Sequence, residues 1–160
     1  MDNLDVRIEE LGPVRVASAL GYGPNPEELA GKKLREWARM NGLAKDLSQH
    51  RFFGFNNPGP SAGSPNYGYE QWMTVRSEAK PSHGVEIKEC PGGSYAVKRC
   101  QLKSITAAWQ ELIAWREQSE HRPADGLCLE ECLEPAFFMF EGSSADPGDA
   151  AFDLYLPIVG

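Results

Sequence analysis

The stretch Leu127-Cys128-Leu129-Glu130-Glu131-Cys132-Leu133-Glu134-Pro135 has the alternating pattern of a β-strand. Successive side chains of a strand point to opposite faces, so the leucines share one face with Glu131, and the cysteines share the other with Glu130. We expect the leucine face to pack on a helix. If the opposite face lines a cavity, the Glu130 carboxylate needs a cationic or polar partner there. A solvated glutamate on an edge strand is the alternative.

This strand belongs to the second of two similar halves, residues 4–76 and 84–160. Val85-Glu86-Ile87-Lys88-Glu89 resembles Val6-Arg7-Ile8-Glu9-Glu10, and each segment is followed by a turn rich in Gly and Pro and by a returning strand. We expect each pair of strands to form a hairpin. A helix and two further strands follow in both halves, which indicates an internal duplication.

Helical periodicity and end signals predict one helix in each half. The first covers residues 26–41, with Asn25 as its N-cap and Pro26 in its first turn. The second follows Ser104, and its apolar face includes Trp109. The remaining strands are predicted at 51–55, 67–75, 127–134 and 152–159, and a loop is predicted at about 135–150.

These elements predict an α+β fold for one domain covering residues 1–160. Its tandem, pseudo-twofold βαββ repeats form one antiparallel sheet, because neither half alone could bury both a helix and a sheet face. We expect both helices on one face of the sheet. We expect a ligand cleft on the other face, at the pseudo-twofold axis between the repeats.

Matching the two halves predicts the residues of this cleft. When Asn57-Pro58 is matched with Glu134-Pro135, Phe53 corresponds to Glu130. The predicted ligand-binding residues are Glu130, Cys132, Phe53, Phe55, Trp72 and Tyr155. Such a cleft favours flat or cationic organic molecules through stacking, cation–π attraction and one ion pair. Plain core packing is an equally good explanation for each aromatic residue.

Composition narrows the classes of partner. The net charge is −7 over 160 residues, which argues against a nucleic-acid surface and an anionic membrane. No apolar run is long enough to span a bilayer, and the first residues lack the basic start of a signal peptide, so we expect a cytoplasmic location. The four cysteines show no CxxC spacing, and we predict no metal and no cofactor. We expect a monomer or a weak homodimer.

Three segments resemble the GyrI-like small-molecule-binding family, which includes the effector-binding domains of AraC-type and MerR-type multidrug regulators. They are Gly93-Ser94-Tyr95-Ala96-Val97, Leu129-Glu130-Glu131-Cys132-Leu133 and Asp153-Leu154-Tyr155-Leu156-Pro157-Ile158. The resemblance covers nearly the whole chain and implies a tandem βαββ fold with a hydrophobic cleft for diverse, often cationic, aromatic compounds. It places the family's buried acid on Glu130 and its cleft aromatic on Tyr155. Cys132 stands where the family often has tyrosine, which removes a ring and a hydroxyl from the cleft.

Three functions follow as hypotheses. The first is a stand-alone protein that sequesters or senses hydrophobic, cationic compounds, since no helix-turn-helix region flanks the domain. The second, implied by the resemblance, is hydrolysis of reactive cyclopropane-containing compounds, with Glu130 as general acid or base and Tyr155 assisting. The third, also implied by the resemblance, is an interaction protein that inhibits a topoisomerase. We assign no catalytic residue from the sequence.

Overall fold

The structure of the protein, a computed structural model, describes residues 5–134 and 147–160. Within these ranges the strands are β1 (Val6–Leu11), β2 (Val14–Gly23), β3 (Phe52–Asn56), β4 (Tyr67–Thr74), β5 (Val85–Cys90), β6 (Gly93–Gln101), β7 (Leu129–Cys132) and β8 (Ala151–Pro157), and the α-helices are α1 (Pro26–Met40) and α2 (Ile105–Gln118). The predicted order of two strands, one helix and two strands therefore occurs twice. Most of the loop predicted at 135–150 lies outside the described residues.

All strands form one antiparallel sheet of eight strands in the order β1-β6-β8-β7-β3-β4-β2-β5. The two repeats meet at its centre, where β7 of the second half pairs with β3 of the first. Both helices pack on the same face. The predicted α+β class and the single antiparallel sheet are confirmed.

The hairpins predicted at the start of each repeat are wrong. β1 pairs with β6 of the other repeat, and β2 pairs with β5. Five strands lie between β1 and β2 in the sheet, a separation of about 29 Å in a flat sheet, whereas the short link Gly12-Pro13 spans only about 10 Å. The sheet therefore curls until its two ends meet.

The link Gly12-Pro13 packs on the second short link, Pro91-Gly92, and this contact explains why residue 92 is a glycine. Gly92 has φ +79° and lies against the backbone of the other link, where an added Cβ would be 2.0 Å from the carbonyl oxygen of Leu11. A glycine is required here both by the backbone angle and by the space. The curled sheet is thus fixed by two tight turns that pack on each other.

Both helices bury the apolar side that periodicity predicts. In α1 the buried residues include Leu34 and Trp37, both with no exposed surface, and the Trp37 indole donates a hydrogen bond to the Lys80 carbonyl at 3.2 Å. In α2, Ala108 and Leu112 pack on Leu154 and its neighbours in β8. Asn25 precedes α1 as predicted, but its side chain makes no capping hydrogen bond.

Across the described ranges, neither helix combines the length and apolarity needed to cross a membrane.

The concave face of the sheet, opposite the helices, carries a core rich in aromatic residues. The rings of Phe53 and Tyr155 meet edge to face at 5.8 Å, and those of Phe55 and Trp72 at 5.1 Å. Each of these four residues is buried. Because curling brings the ends of the sheet together, side chains from strands throughout the sheet pack against one another on this face.

Candidate functional site

A cavity of about 570 Å³ lies between the two helices and the centre of the sheet. It is lined by Glu27, Phe52, Phe53, Gly54, Asn56, Pro60, Tyr67, Tyr69, Gln71, Leu102, Ile105, Thr106, Trp109, Glu130, Cys132 and Phe152. The cavity thus opens on the face that carries the helices. We expected it on the opposite face, where the aromatic core is found instead.

Strand register explains which side chains reach the cavity. Residues directly opposite one another on neighbouring strands share a face, and Gly54 lies opposite both Gln71 of β4 and Glu130 of β7. Two residues before Gly54, and therefore on the same face, Phe52 lies opposite Cys132. The cavity floor is therefore built from alternate residues of the three central strands.

Glu130 is the carboxylate on this floor. Its Oε1 accepts a hydrogen bond from the Tyr69 hydroxyl at 2.9 Å, and its Oε2 accepts one from the Trp109 indole at 2.8 Å. Among the described residues, no lysine, arginine or histidine forms an ion pair with it. Burial raises its pKa above the ordinary value, although the two hydrogen bonds act in the opposite direction. Glu130 is therefore an acid held by neutral donors.

Gly54 makes the contact between Tyr69 and Glu130 possible. An added Cβ at Gly54 would lie 2.1 Å from the Tyr69 hydroxyl oxygen and 2.5 Å from the ring carbon that bears it. The phenol of Tyr69 thus lies across β3 in the space left by the missing side chain. Burial, with the Glu130 charge, raises the pKa of Tyr69 well above its ordinary value, which keeps the hydroxyl protonated as a donor.

A second carboxylate–tyrosine pair borders the same cavity. The Tyr67 hydroxyl lies 2.8 and 2.7 Å from the two carboxylate oxygens of Glu27, which belongs to the first turn of α1. Burial and this carboxylate raise the pKa of Tyr67 to about 12. Tyr67 and Tyr69 are two residues apart on β4, so both point to the helix side of the sheet.

Two of the predicted site residues, Glu130 and Cys132, face the cavity. Burial raises the pKa of the Cys132 thiol to about 12, so the thiol is neutral at physiological pH. Phe53 also borders the cavity, but its ring packs on Tyr155 on the concave face. Phe55, Trp72 and Tyr155 do not line the cavity and belong to the concave core.

Glu130 and the predicted aromatic residues point to opposite faces of the sheet because the match between the repeats is shifted by one residue. The match of Asn57-Pro58 with Glu134-Pro135 made Phe53 equivalent to Glu130, but in the sheet Phe53 lies opposite Glu131 and Gly54 lies opposite Glu130. A shift of one residue moves every side chain of a strand to the other face. Leu129 packs in the concave core, and the leucine face of β7 does not contact a helix as we expected, because the Glu130 face of the strand is the one on the helix side.

Tyr155, expected beside Glu130, instead belongs to a network around Glu131. Its hydroxyl donates to Glu131 at 2.7 Å, and Arg51 donates to both Glu131 oxygens at 2.8 and 3.0 Å. Arg51 also donates to the Tyr155 oxygen at 2.9 Å. Glu131 is a paired structural acid, in contrast to its neighbour Glu130.

Sequence reasoning missed the partners of Glu130 and the second acid. Helical periodicity predicts Trp109 only as part of the helix core, and no motif points to Tyr69 or Glu27. One signal was present, because a glycine inside the aromatic strand Phe52-Phe53-Gly54-Phe55 indicates that another group approaches the backbone closely. That group is the Tyr69 ring.

Comparisons with known structures agree on the fold. The chain is 12% identical to the EcmrR C-terminal domain over 96% of each chain, with a TM-score of 0.68, but it spans only 57% of the EcmrR chain in the DNA complex. SAV2435 bound to tetraphenylphosphonium is 12% identical, with a TM-score of 0.51 and coverage of 97% and 94%. A hydrolase from Listeria innocua is 10% identical, with a TM-score of 0.60 and coverage of 96% and 91%.

At these identities the likeness to solved structures establishes the fold alone. The search of curated protein sequences found no match to the chain. A family model does match. It is named Cass2, integron-associated effector binding protein, and it covers residues 7–158. This range includes both helices and all strands but the first residue of β1, and the GyrI-like resemblance of the sequence is thereby confirmed. The chain therefore belongs to the Cass2 family of integron-associated effector binding proteins.

Proposed function

We propose that this protein binds hydrophobic, aromatic cations in the cavity between its helices and its sheet. The observation that carries the proposal is Glu130, a carboxylate in an aromatic cavity whose hydrogen-bond partners, Tyr69 and Trp109, are both neutral. A partly buried acid that has no cationic partner among the described residues is costly, and a cationic ligand would supply the missing charge.

The walls of the cavity support the same class of ligand. Phe52, Phe152 and Trp109 present aromatic surface, which attracts both flat rings and organic cations. A volume of about 570 Å³ is within the range of drug-sized sites. Membership of an effector-binding family is consistent with this role, and one protein of the same fold, SAV2435, is described with tetraphenylphosphonium bound.

Tetraphenylphosphonium is therefore expected to bind saturably, and Glu130→Gln is expected to weaken binding. The loss should be about 1–3 kcal/mol, or roughly five- to a hundredfold in Kd, because the variant lacks the charge that the cation meets. The glutamine side chain can still accept a hydrogen bond from Trp109, and its amide can donate to the oxygen of Tyr69. Isothermal titration calorimetry on both proteins measures the difference.

Glu111→Gln is the matched control, since Glu111 lies on the exposed side of α2, 3.8 Å from Lys98. It removes the same charge from the protein without altering the cavity. Neutral triphenylphosphine oxide should bind both wild type and Glu130→Gln with similar affinity. Equal binding of the phosphonium cation to wild type and to Glu130→Gln would contradict the role assigned to Glu130.

Hydrolysis of a reactive substrate is the second candidate function. Burial raises the pKa of Glu130, and an acid with a raised pKa beside the Tyr69 hydroxyl is suited to proton transfer in general acid–base catalysis. In this arrangement Tyr69 takes the place that was expected for Tyr155. Turnover of a strained cyclopropane substrate by wild type, lost in Glu130→Gln, would favour the enzyme; binding without turnover would favour the effector-binding protein.

A further inference from the structure

The cavity contains two carboxylates at different depths. Glu130 lies on the sheet floor, whereas Glu27 lies at the exposed beginning of α1. Among the described residues that line the cavity, these are the only side chains with a formal charge. A single cation bound at Glu130 would leave the charge of Glu27 uncompensated within the same cavity.

Each carboxylate is held in place by its own tyrosine. The Tyr69 hydroxyl donates to Glu130, and the Tyr67 hydroxyl lies within hydrogen-bond distance of Glu27. The two tyrosines alternate along β4, so their Cα atoms are about 7 Å apart and their hydroxyls serve different acids. The acids are therefore two separate anchor points, and neither tyrosine bridges both.

The two carboxylates also interact electrostatically. The charge of Glu27 contributes to the raised pKa of Glu130, and both acids raise the pKa of Tyr69. Carboxylates within electrostatic range repel each other. A ligand with one positive group at each acid would remove this repulsion and gain an ion pair at both ends.

We propose that the ligands for which this cavity is best suited are elongated aromatic dications, with one cationic group at Glu130, the other at Glu27 and the aromatic body between the helices. This inference rests on the proposed function and specifies its ligand class. Glu27 then acts as a specificity residue, since it distinguishes doubly charged from singly charged ligands of the same shape.

Two probes of nearly identical outline test the inference. Methyl viologen carries a positive charge on each of two linked rings, and N-methyl-4-phenylpyridinium carries only one. Wild type is expected to bind methyl viologen about tenfold more tightly at low ionic strength. Glu27→Gln should lower methyl viologen affinity by about five- to tenfold and leave the monocation within about twofold. Glu130→Gln should weaken both probes.

Glu28→Gln is the control, because Glu28 is the neighbouring exposed acid of the same helical turn and does not line the cavity. It is expected to change neither affinity. Equal wild-type affinities for the two probes would overturn the inference. So would equal losses of both probes in Glu27→Gln, because one shared cation would then lie between the acids.

Tetraphenylphosphonium in the same titrations separates this inference from the proposed function. Glu130-dependent binding of the phosphonium without preference for methyl viologen would overturn the dication inference alone. Failure of wild type to bind the phosphonium and both probes would overturn the inference and the proposed function together.

Discussion

Gly54→Val is expected to lower the affinity for tetraphenylphosphonium by more than about a hundredfold, or roughly 3 kcal/mol. A Cβ at position 54 would lie 2.1 Å from the Tyr69 hydroxyl oxygen, so the phenol must leave its place beside Glu130. The displaced ring and the new methyl groups would both occupy the cavity. Valine suits a central strand, so thermal unfolding should still show a folded protein. Titration calorimetry measures the affinity.

Two further variants isolate the cause of that loss. Gly12→Val adds the same side chain where no atom beyond the adjacent residues lies within 4 Å of the new Cβ, and it should leave affinity unchanged. Tyr69→Phe removes the hydroxyl that donates to Glu130 but keeps the ring, and it should weaken binding by only about three- to tenfold. Binding by Gly54→Val equal to that of wild type would show that the ligand does not occupy this cavity.

Glu70→Gln is expected to reduce the free energy of unfolding by about 2–4 kcal/mol. Glu70 is only 2% exposed, and it accepts hydrogen bonds from Ser18 and Lys88 at 2.6 Å and from Asn57 and Trp72 at 2.9 Å. Glutamine has nearly the same shape, but its amide group would face a donor, and the Lys88 ammonium would lose its counter-charge. Urea unfolding at neutral pH measures this loss.

The same substitution should change the acid sensitivity of the fold. Burial alone would raise the pKa of Glu70, but Lys88 and the other donors lower it from 4.5 to about 2. A carboxyl with a depressed folded-state pKa stabilises the protein above its unfolded pKa, and this contribution is lost as the pH falls from about 4.5 towards 2. In Glu70→Gln, that part of the pH dependence should disappear.

Two substitutions serve as comparisons for Glu70→Gln. Glu86→Gln, at an exposed acid 3.9 Å from the same Lys88, should cost no more than about 0.5 kcal/mol. Glu130→Gln should not lower stability, because burial raises the pKa of Glu130 and already penalises its charged form. Equal stability of Glu70→Gln and wild type at neutral pH would contradict the structural role of Glu70.

The sequence was sufficient to predict the order of elements, because each element has a local signal. Helix α1 shows its apolar stripe and its proline start, and the similarity between Val6–Leu11 and Val85–Cys90 reveals the duplication. It was not sufficient to predict which strands pair. A short link such as Gly12-Pro13 resembles a hairpin turn, and only the curl of the whole sheet allows it to connect strands at opposite ends.

The faces of the central strands were harder to predict than their existence. Glu130 and Glu131 are adjacent acids on a short strand, and their side chains meet entirely different surroundings. Register decides which acid faces the cavity, and register depends on contacts distant in sequence, such as Phe53 opposite Glu131. The alternation of β7 predicts that Glu130 and Cys132 share one face, and both side chains line the cavity.

The location of the ligand is tested most directly by the indole N–H resonances of two tryptophans. Trp109 donates to Glu130 in the cavity, and Trp72 donates to Glu70 on the concave face. In a ¹H–¹⁵N NMR titration with tetraphenylphosphonium, the Trp109 indole signal is expected to shift saturably while the Trp72 indole signal stays in place. A saturable shift of Trp72 with Trp109 unchanged would place the ligand on the concave face and contradict binding in the cavity between the helices and the sheet.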